Sequence, residues 1–205
     1  MLSTPTVVIV TDPLCSWCWG MAAAIDAARS ELTGRVRFDL LPGGINVAAS
    51  APLGEVARAR LAALWREVET VTGQPFADAP SAAPFVYNST HLCAVLEAAR
   101  VLEGAPPFRL LTRLQQRFFA MGEDVTSDAV RRDTLHELGY GAGAVERVAA
   151  SEPVRTRTTR QFVEARSYGT NAMPSVLFDV GEKRRLLAGG YLDAATLVAT
   201  IESAL

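Results

Sequence analysis

The 205-residue sequence predicts an α/β fold in which strands near both ends of the chain flank a long helical block. Three observations carry this expectation. A β-branched run, Val7-Val8-Ile9-Val10, stops at Thr11-Asp12-Pro13 and gives way at once to helical patterning. From about residue 52 to residue 168, apolar residues recur at helical spacing almost throughout. After Gly169 the strand chemistry returns, and an amphipathic helix closes the chain.

Taken in order, the first strand is short and apolar enough to be buried. A helix is expected from about Ser16 to Leu32, with Gly34 as its stop. A second strand fits Arg35 to Leu41, where Val36, Phe38 and Leu40 alternate with outward positions, and Pro42-Gly43-Gly44 ends it. In the helical block, Leu61, Leu64, Trp65 and Val68 share one face ahead of Gly73. Leu92, Val95, Leu96 and Ala99 share another, opened by Asn88-Ser89-Thr90 as candidate caps. Leu110, Leu111, Leu114, Phe118 and Met121 form a third, closed by Gly122. Thr126-Ser127-Asp128 opens a fourth helix running to Leu138, with Gly139 behind it; Val145 and Val148 mark a fifth, and Val154 to Tyr168 a sixth that stops at Gly169. The Ala/Pro-rich stretch Pro75 to Pro84 reads as a loop. Val176-Leu177-Phe178 and Leu186-Leu187-Ala188 flank a turn around Gly181-Glu182-Lys183, a hairpin pattern. Asp193 is placed to cap a last helix carrying Leu197, Val198 and Ile201.

Composition narrows the function. With 49% hydrophobic and 20% charged residues the chain is a packed globular protein. A net charge of −2 without a basic stripe argues against nucleic acid as a partner. No apolar stretch approaches the roughly 18 to 20 residues that span a bilayer. Met1 to Thr11 lacks the cationic flank and small-residue cleavage site of a signal peptide, so a cytoplasmic location is expected. Arg131, Arg132, Arg155, Arg157 and Arg160, with neighbouring acids, read as a solvated face.

The chemistry concentrates in the cysteines. There are 3, too few for a disulfide scaffold, and Cys15 and Cys18 form a close pair in Cys15-Ser16-Trp17-Cys18. Two thiols three residues apart at a helix start can join in a disulfide. The first of them meets unpaired backbone N–H groups and the positive end of the helix dipole, and both favour the reactive thiolate. A zinc site would need Cys93 with His91 or His136. One residue between His91 and Cys93 is short for a zinc knuckle, and on a helix the two point to different faces, so no metal is expected. Cys93 reads as an ordinary buried thiol, and the two histidines as solvated or capping residues.

Three segments resemble one family. Asp12-Pro13-Leu14-Cys15-Ser16-Trp17-Cys18-Trp19-Gly20 resembles the active-site segment of the DsbA-like family, particularly its cytoplasmic FrnE-like branch. Gly169-Thr170-Asn171-Ala172-Met173-Pro174-Ser175-Val176 resembles the loop carrying that family's cis-proline, and Leu187-Ala188-Gly189-Gly190-Tyr191 its hairpin end. The resemblance implies a thioredoxin-like fold, with residues 1–50 and 169–205 as the core and 51–168 as a large all-helical insertion domain. It implies thiol–disulfide exchange with protein substrates: Cys15 as the exposed attacking cysteine, Cys18 as the buried resolving one, Pro174 as the cis-proline, and the Met173 backbone as the edge that pairs with a substrate strand. Trp17 is expected to offer the client an apolar contact, with glutathione as a redox partner and no other cofactor. Oxidising members of the wider family carry a histidine between their cysteines, and here Ser16-Trp17 stands there. A potential less oxidising than about −120 mV, nearer −180 to −270 mV, is therefore expected, which favours isomerase or reductase over oxidase.

The alternative reading keeps the fold and changes the chemistry. Kappa-class transferases and hydroxychromene-carboxylate isomerases use glutathione with a single catalytic hydroxyl or thiol, which needs no resolving Cys18. A client-binding protein whose thiols are incidental is the third reading.

Overall fold

The computed structural model describes residues 4–78, 84–180 and 183–205. These residues form a four-stranded sheet of order β2-β1-β3-β4, from β1 (Thr6–Thr11), β2 (Arg37–Pro42), β3 (Ser175–Val180) and β4 (Lys183–Gly189). β1 runs parallel to β2 and antiparallel to β3, with Thr11 opposite Pro42 and Val10 opposite Ser175. β3 and β4 are antiparallel, and their register shifts between Val176 and Leu177. The expected Gly181-Glu182 turn between them lies outside the described residues, as does most of the Pro75–Pro84 loop.

β1 is apolar without alternation because both of its faces are covered. Val7 and Ile9 enter the large core, while Val8 and Val10 join Leu41, Ala165 and Leu177 in a smaller cluster on the opposite face. The large core runs on without a break through Trp65, Leu96, Leu114 and Phe118 of the helical block.

The helix expected from Ser16 to Leu32 is two helices, α1 (Ser16–Gly20) and α2 (Ala22–Glu31), broken at the fully buried Met21. The break lets each half pack on a different partner. α1 lies on α3 (Glu55–Thr72), while α2 lies on α9 (Ala194–Glu202). Gly20 makes the first contact feasible, since a Cβ there would sit 2.8 Å from Thr72 Cγ2 and 3.0 Å from Val68 Cγ1.

The helical block continues with α4 (Thr90–Glu103), α5 (Phe108–Gln115), α6 (Asp128–Glu137), α7 (Ala142–Ala149) and α8 (Glu152–Ala165). Gly34, Gly73, Gly122, Gly139 and Gly169, each expected as a helix stop, all have positive φ. Ser127 and Asp193 cap as expected, accepting from Val130 N and Thr196 N. At α4 the cap is different: Asn88 Oδ1 accepts from Thr90 N at 2.8 Å, and the Ser89 hydroxyl is used elsewhere.

Two further expectations need correction. The third helix passes into a π-helical turn, Gln116–Ala120, which swings Phe118 and Phe119 together onto Trp65 at centroid distances of 5.4 and 5.2 Å. Met121 is thereby turned outward, 49% exposed, instead of following Phe118 into the core. Arg131 is not part of a solvated face. It is buried, with ion pairs to Asp128 and Glu146 that tie α6 to α7, whereas Arg132, Arg155, Arg157 and Arg160 are exposed. Among the described residues no helix is long and apolar enough to cross a membrane.

Candidate active site

The CxxC segment is placed by the end of β1. The Cys15 backbone N–H donates to Asp12 O at 3.2 Å and Leu14 N–H to Asp12 Oδ1 at 2.8 Å, so the chain turns at once into α1. Cys15 is the N-cap of that helix, and its sulfur accepts from Cys18 N at 3.2 Å. That N–H is one of the orphan donors of a helix start, and an anionic sulfur is its better acceptor. As a thiol, Cys15 Sγ also donates to Met173 O at 3.6 Å.

The two cysteines differ in their surroundings. Both are buried, Cys15 at 7% exposure and Cys18 at 1%, so Cys15 is not the exposed thiol that the resemblance implied, only the less enclosed of the two. Burial pushes the Cys18 thiol well above its ordinary range; its hydrogen bond to Cys15 and the charges of Cys15 and Asp12 add to the rise, and Thr11 opposes it. Cys18 therefore holds its proton.

The distant loop expected to meet this pair does so. The Met173–Pro174 peptide is cis, Gly190 N–H donates to Pro174 O at 2.8 Å, and the Ser175 hydroxyl donates to Ala172 O at 2.7 Å. Cys15, Cys18, Met173 and Pro174 thus form one site although 158 residues separate Cys15 from Met173. Trp17 is half-buried beside Tyr191, with ring centroids 6.2 Å apart. Trp19 is buried, and its Nε1–H donates to Pro75 O at 3.0 Å.

Behind the pair lies a polar cluster that sequence reasoning missed. The fully buried Asp12 carboxyl accepts from Leu14 N and, on Oδ2, from Ser89 Oγ at 2.6 Å, Ile45 N at 3.1 Å and Cys93 Sγ at 3.4 Å. Burial raises the Asp12 pKa, and the hydrogen bonds from Ser89, Leu14 and Cys93 pull the other way. Gln115 Nε2 donates to Asp12 O at 3.1 Å, and the Tyr87 hydroxyl donates to Leu14 O. Burial pushes the Tyr87 phenol well up, with the Cys15, Asp12 and Cys18 charges adding to it. The available signal was an Asp closing a strand of otherwise apolar residues.

Cys93 is buried on α4 as expected, but its sulfur faces Asp12, and burial followed by the Asp12 charge pushes its thiol up. His91 lies outside the cluster, 3.0 Å from Glu146, and His136 is exposed in the last turn of α6.

A sheet of this order, preceding a dithiol at a helix start and facing a cis-proline loop, defines the thioredoxin fold, and the helical block is its insertion. The model of the DSBA-like thioredoxin domain matches residues 6–201, so the chain belongs to the DSBA-like thioredoxin family. Among solved structures it is similar to a candidate protein disulfide isomerase from Nitrosomonas europaea, at 27% identity and TM-score 0.88 over 98% of this chain and 97% of that one. It is also similar to the cytosolic disulfide reductase DsbM from Pseudomonas aeruginosa, at 23% identity and TM-score 0.76 over 97% and 98%. A 2-hydroxychromene-2-carboxylate isomerase shares the fold at 16% identity and TM-score 0.61, over 97% and 93%. A search of curated proteins finds no match.

Proposed function

We propose that this protein is a thiol–disulfide oxidoreductase that exchanges disulfides with protein substrates in the cytoplasm through Cys15 and Cys18. The observation that carries this reading is the placement of the pair: Cys15 at a helix N-cap beside the Met173 carbonyl, and Cys18 more deeply enclosed one helical turn behind it.

The exchange follows from that placement. The Cys15 thiolate attacks one sulfur of a client disulfide, forming a Cys15–client bond and releasing the other client sulfur as thiolate. Cys18 then loses its proton and attacks Cys15 Sγ, releasing the second client thiolate and leaving a Cys15–Cys18 disulfide. Two electrons have passed to the client; the reverse sequence oxidises it. Burial and the neighbouring Cys15 sulfur keep Cys18 protonated, and the Cys15 contribution falls away once Cys15 is bonded to the client, which favours loss of the Cys18 proton at that stage. Ser16-Trp17 offers no cation to stabilise the thiolate, which supports an isomerase or reductase role over that of a strong oxidant. The half-buried Trp17 and the Met173 backbone are the client contacts, and glutathione is the recycling thiol. A DsbM structure with GSH supports the last point by analogy of fold.

The test is equilibration of the purified protein in graded glutathione/glutathione disulfide buffers, with the Cys15–Cys18 disulfide quantified by alkylation and mass spectrometry. A reversible two-electron transition with a midpoint at about −180 to −270 mV is expected. A stable glutathione adduct without an intramolecular disulfide would instead support a glutathione-dependent transferase or isomerase.

A further inference from the structure

We propose that Gly43 and Arg166 are positioning residues that hold the Met173 carbonyl at the Cys15 sulfur, so that the end of α8 governs how the dithiol engages a protein strand. This rests on the exchange reading of Cys15 and Cys18.

The Met173 side chain packs on the turn that ends β2. It lies flat on Gly43: a Cβ at that position would sit 2.0 Å from Met173 Sδ, 3.3 Å from Cε and 3.4 Å from Cγ. Any side chain at position 43 would therefore displace the Met173 thioether from its seat on the turn. Beyond the contact, Met173 packs against the small cluster of Val8, Val10, Leu41, Ala165 and Leu177, and Ala165 is the last residue of α8.

The Gly43-Gly44 turn is itself held from both sides. Gly43 N–H donates to Thr11 O at 2.8 Å, which extends the β1–β2 pairing by one bond. Arg166 Nη1 donates to Gly43 O at 2.7 Å and to Phe162 O at 2.7 Å, and Nη2 donates to Gly44 O at 2.9 Å. One planar guanidinium therefore joins two successive carbonyls of the turn to the last turn of α8, a geometry that a lysine ammonium cannot reproduce. Gly44 has φ +75°, and a Cβ there would strike the Phe162 ring at 2.8 Å. The chain of contact runs Arg166, Gly43, Met173, Cys15, and its first member belongs to the helical block.

The test uses the full chain in single turnover. Pre-reduced protein is mixed with excess insulin, a protein disulfide, or with bis(2-hydroxyethyl) disulfide, which has no peptide backbone to pair with Met173. Formation of the Cys15–Cys18 disulfide is followed by acid quench and alkylation. In Gly43→Ala the half-saturating insulin concentration should rise roughly threefold to tenfold, the loss expected for one or two backbone hydrogen bonds. The limiting rate with bis(2-hydroxyethyl) disulfide should change less than about twofold, the size of a hydrogen bond's lower limit. Arg166→Met should move insulin in the same direction by a smaller factor, and Arg166→Lys should not restore it. Shortening the clashing side chain should rescue the defect, so the Gly43→Ala/Met173→Ala double variant should match Met173→Ala alone. Parallel losses with both disulfides, or a Gly43→Ala effect simply added to that of Met173→Ala, would overturn the proposal; where Gly43→Ala does not fold, the two Arg166 variants decide by the same ratio. Wild-type protein that forms no disulfide with either substrate refutes the exchange reading itself, an outcome distinct from these.

Discussion

The two sides of the CxxC segment are built on opposite principles. In front of Cys15 are the Met173 carbonyl and the half-buried rings of Trp17 and Tyr191, an apolar edge where a partner can lie. Behind it, Asp12, Ser89 and Cys93 are sealed from solvent and the half-buried Tyr87 donates to the Leu14 carbonyl, with Asp12 alone accepting from Leu14, Ile45, Ser89 and Cys93. The difference teaches where variation is tolerable. On the proposed exchange reading, changes at the front should alter what is bound, while changes at the back leave buried polar groups without partners and act on the fold.

The largest expected effect sharpens the front. Cys15→Ser should reduce disulfide exchange with insulin to the uncatalysed background, whereas Cys18→Ser should still form the first bond and accumulate a Cys15–client adduct, visible by intact mass. An adduct on Cys18→Ser that never exceeds that on Cys15→Ser would break the assignment of roles. Next comes the back. Asp12→Ala orphans the Leu14 N–H, removes the carboxylate acceptor of the Ser89 hydroxyl and the Cys93 thiol, and should cost about 2–4 kcal/mol in denaturant unfolding of the reduced protein.

The buried thiols give a pH prediction. Cys18 and Cys93 have folded pKa values raised above 9.0. As pH rises past that value the unfolded chain releases these protons and the folded one keeps them, so unfolding is favoured. The reduced protein should lose stability above about pH 9, by up to ~1.4 kcal/mol per pH unit for each thiol. Cys93→Ala should halve that slope, as measured by urea unfolding between pH 8 and 10. The smallest effect returns to the front: Trp17→Ala should weaken half-saturation by insulin about threefold to tenfold and leave the Cys15–Cys18 midpoint within roughly 15 mV, about half of the 30 mV that a tenfold change represents.

Most of the frame could be read from the sequence because it rests on local rules. The Val7–Val10 run, the Ser127 and Asp193 caps and the glycine stops each depend on a few neighbouring residues. The CxxC and Met173-Pro174 were found the same way, as local patterns that resemble known segments. What escaped is long-range. Ser89 and Cys93 meet Asp12 across 77 and 81 residues, and no periodicity announces that meeting. The break at Met21 and the π-turn at Gln116–Ala120 escaped because they are set by what each half packs against, not by their own residues. Arg131 looked solvated because its charge was visible and its partner Glu146, on the next helix, was not.

The π-turn has an optical consequence. By turning Phe118 and Phe119 onto Trp65, with Phe76 at 5.7 Å, it encloses one indole in a dry aromatic box. Trp65 should therefore emit at short wavelength and shift to the red only when the whole core opens. The other two indoles, Trp17 and Trp19, flank Cys18 and should be quenched together when Cys15 and Cys18 join. A single emission spectrum would then carry two independent signals, one for integrity and one for oxidation state, without any label attached.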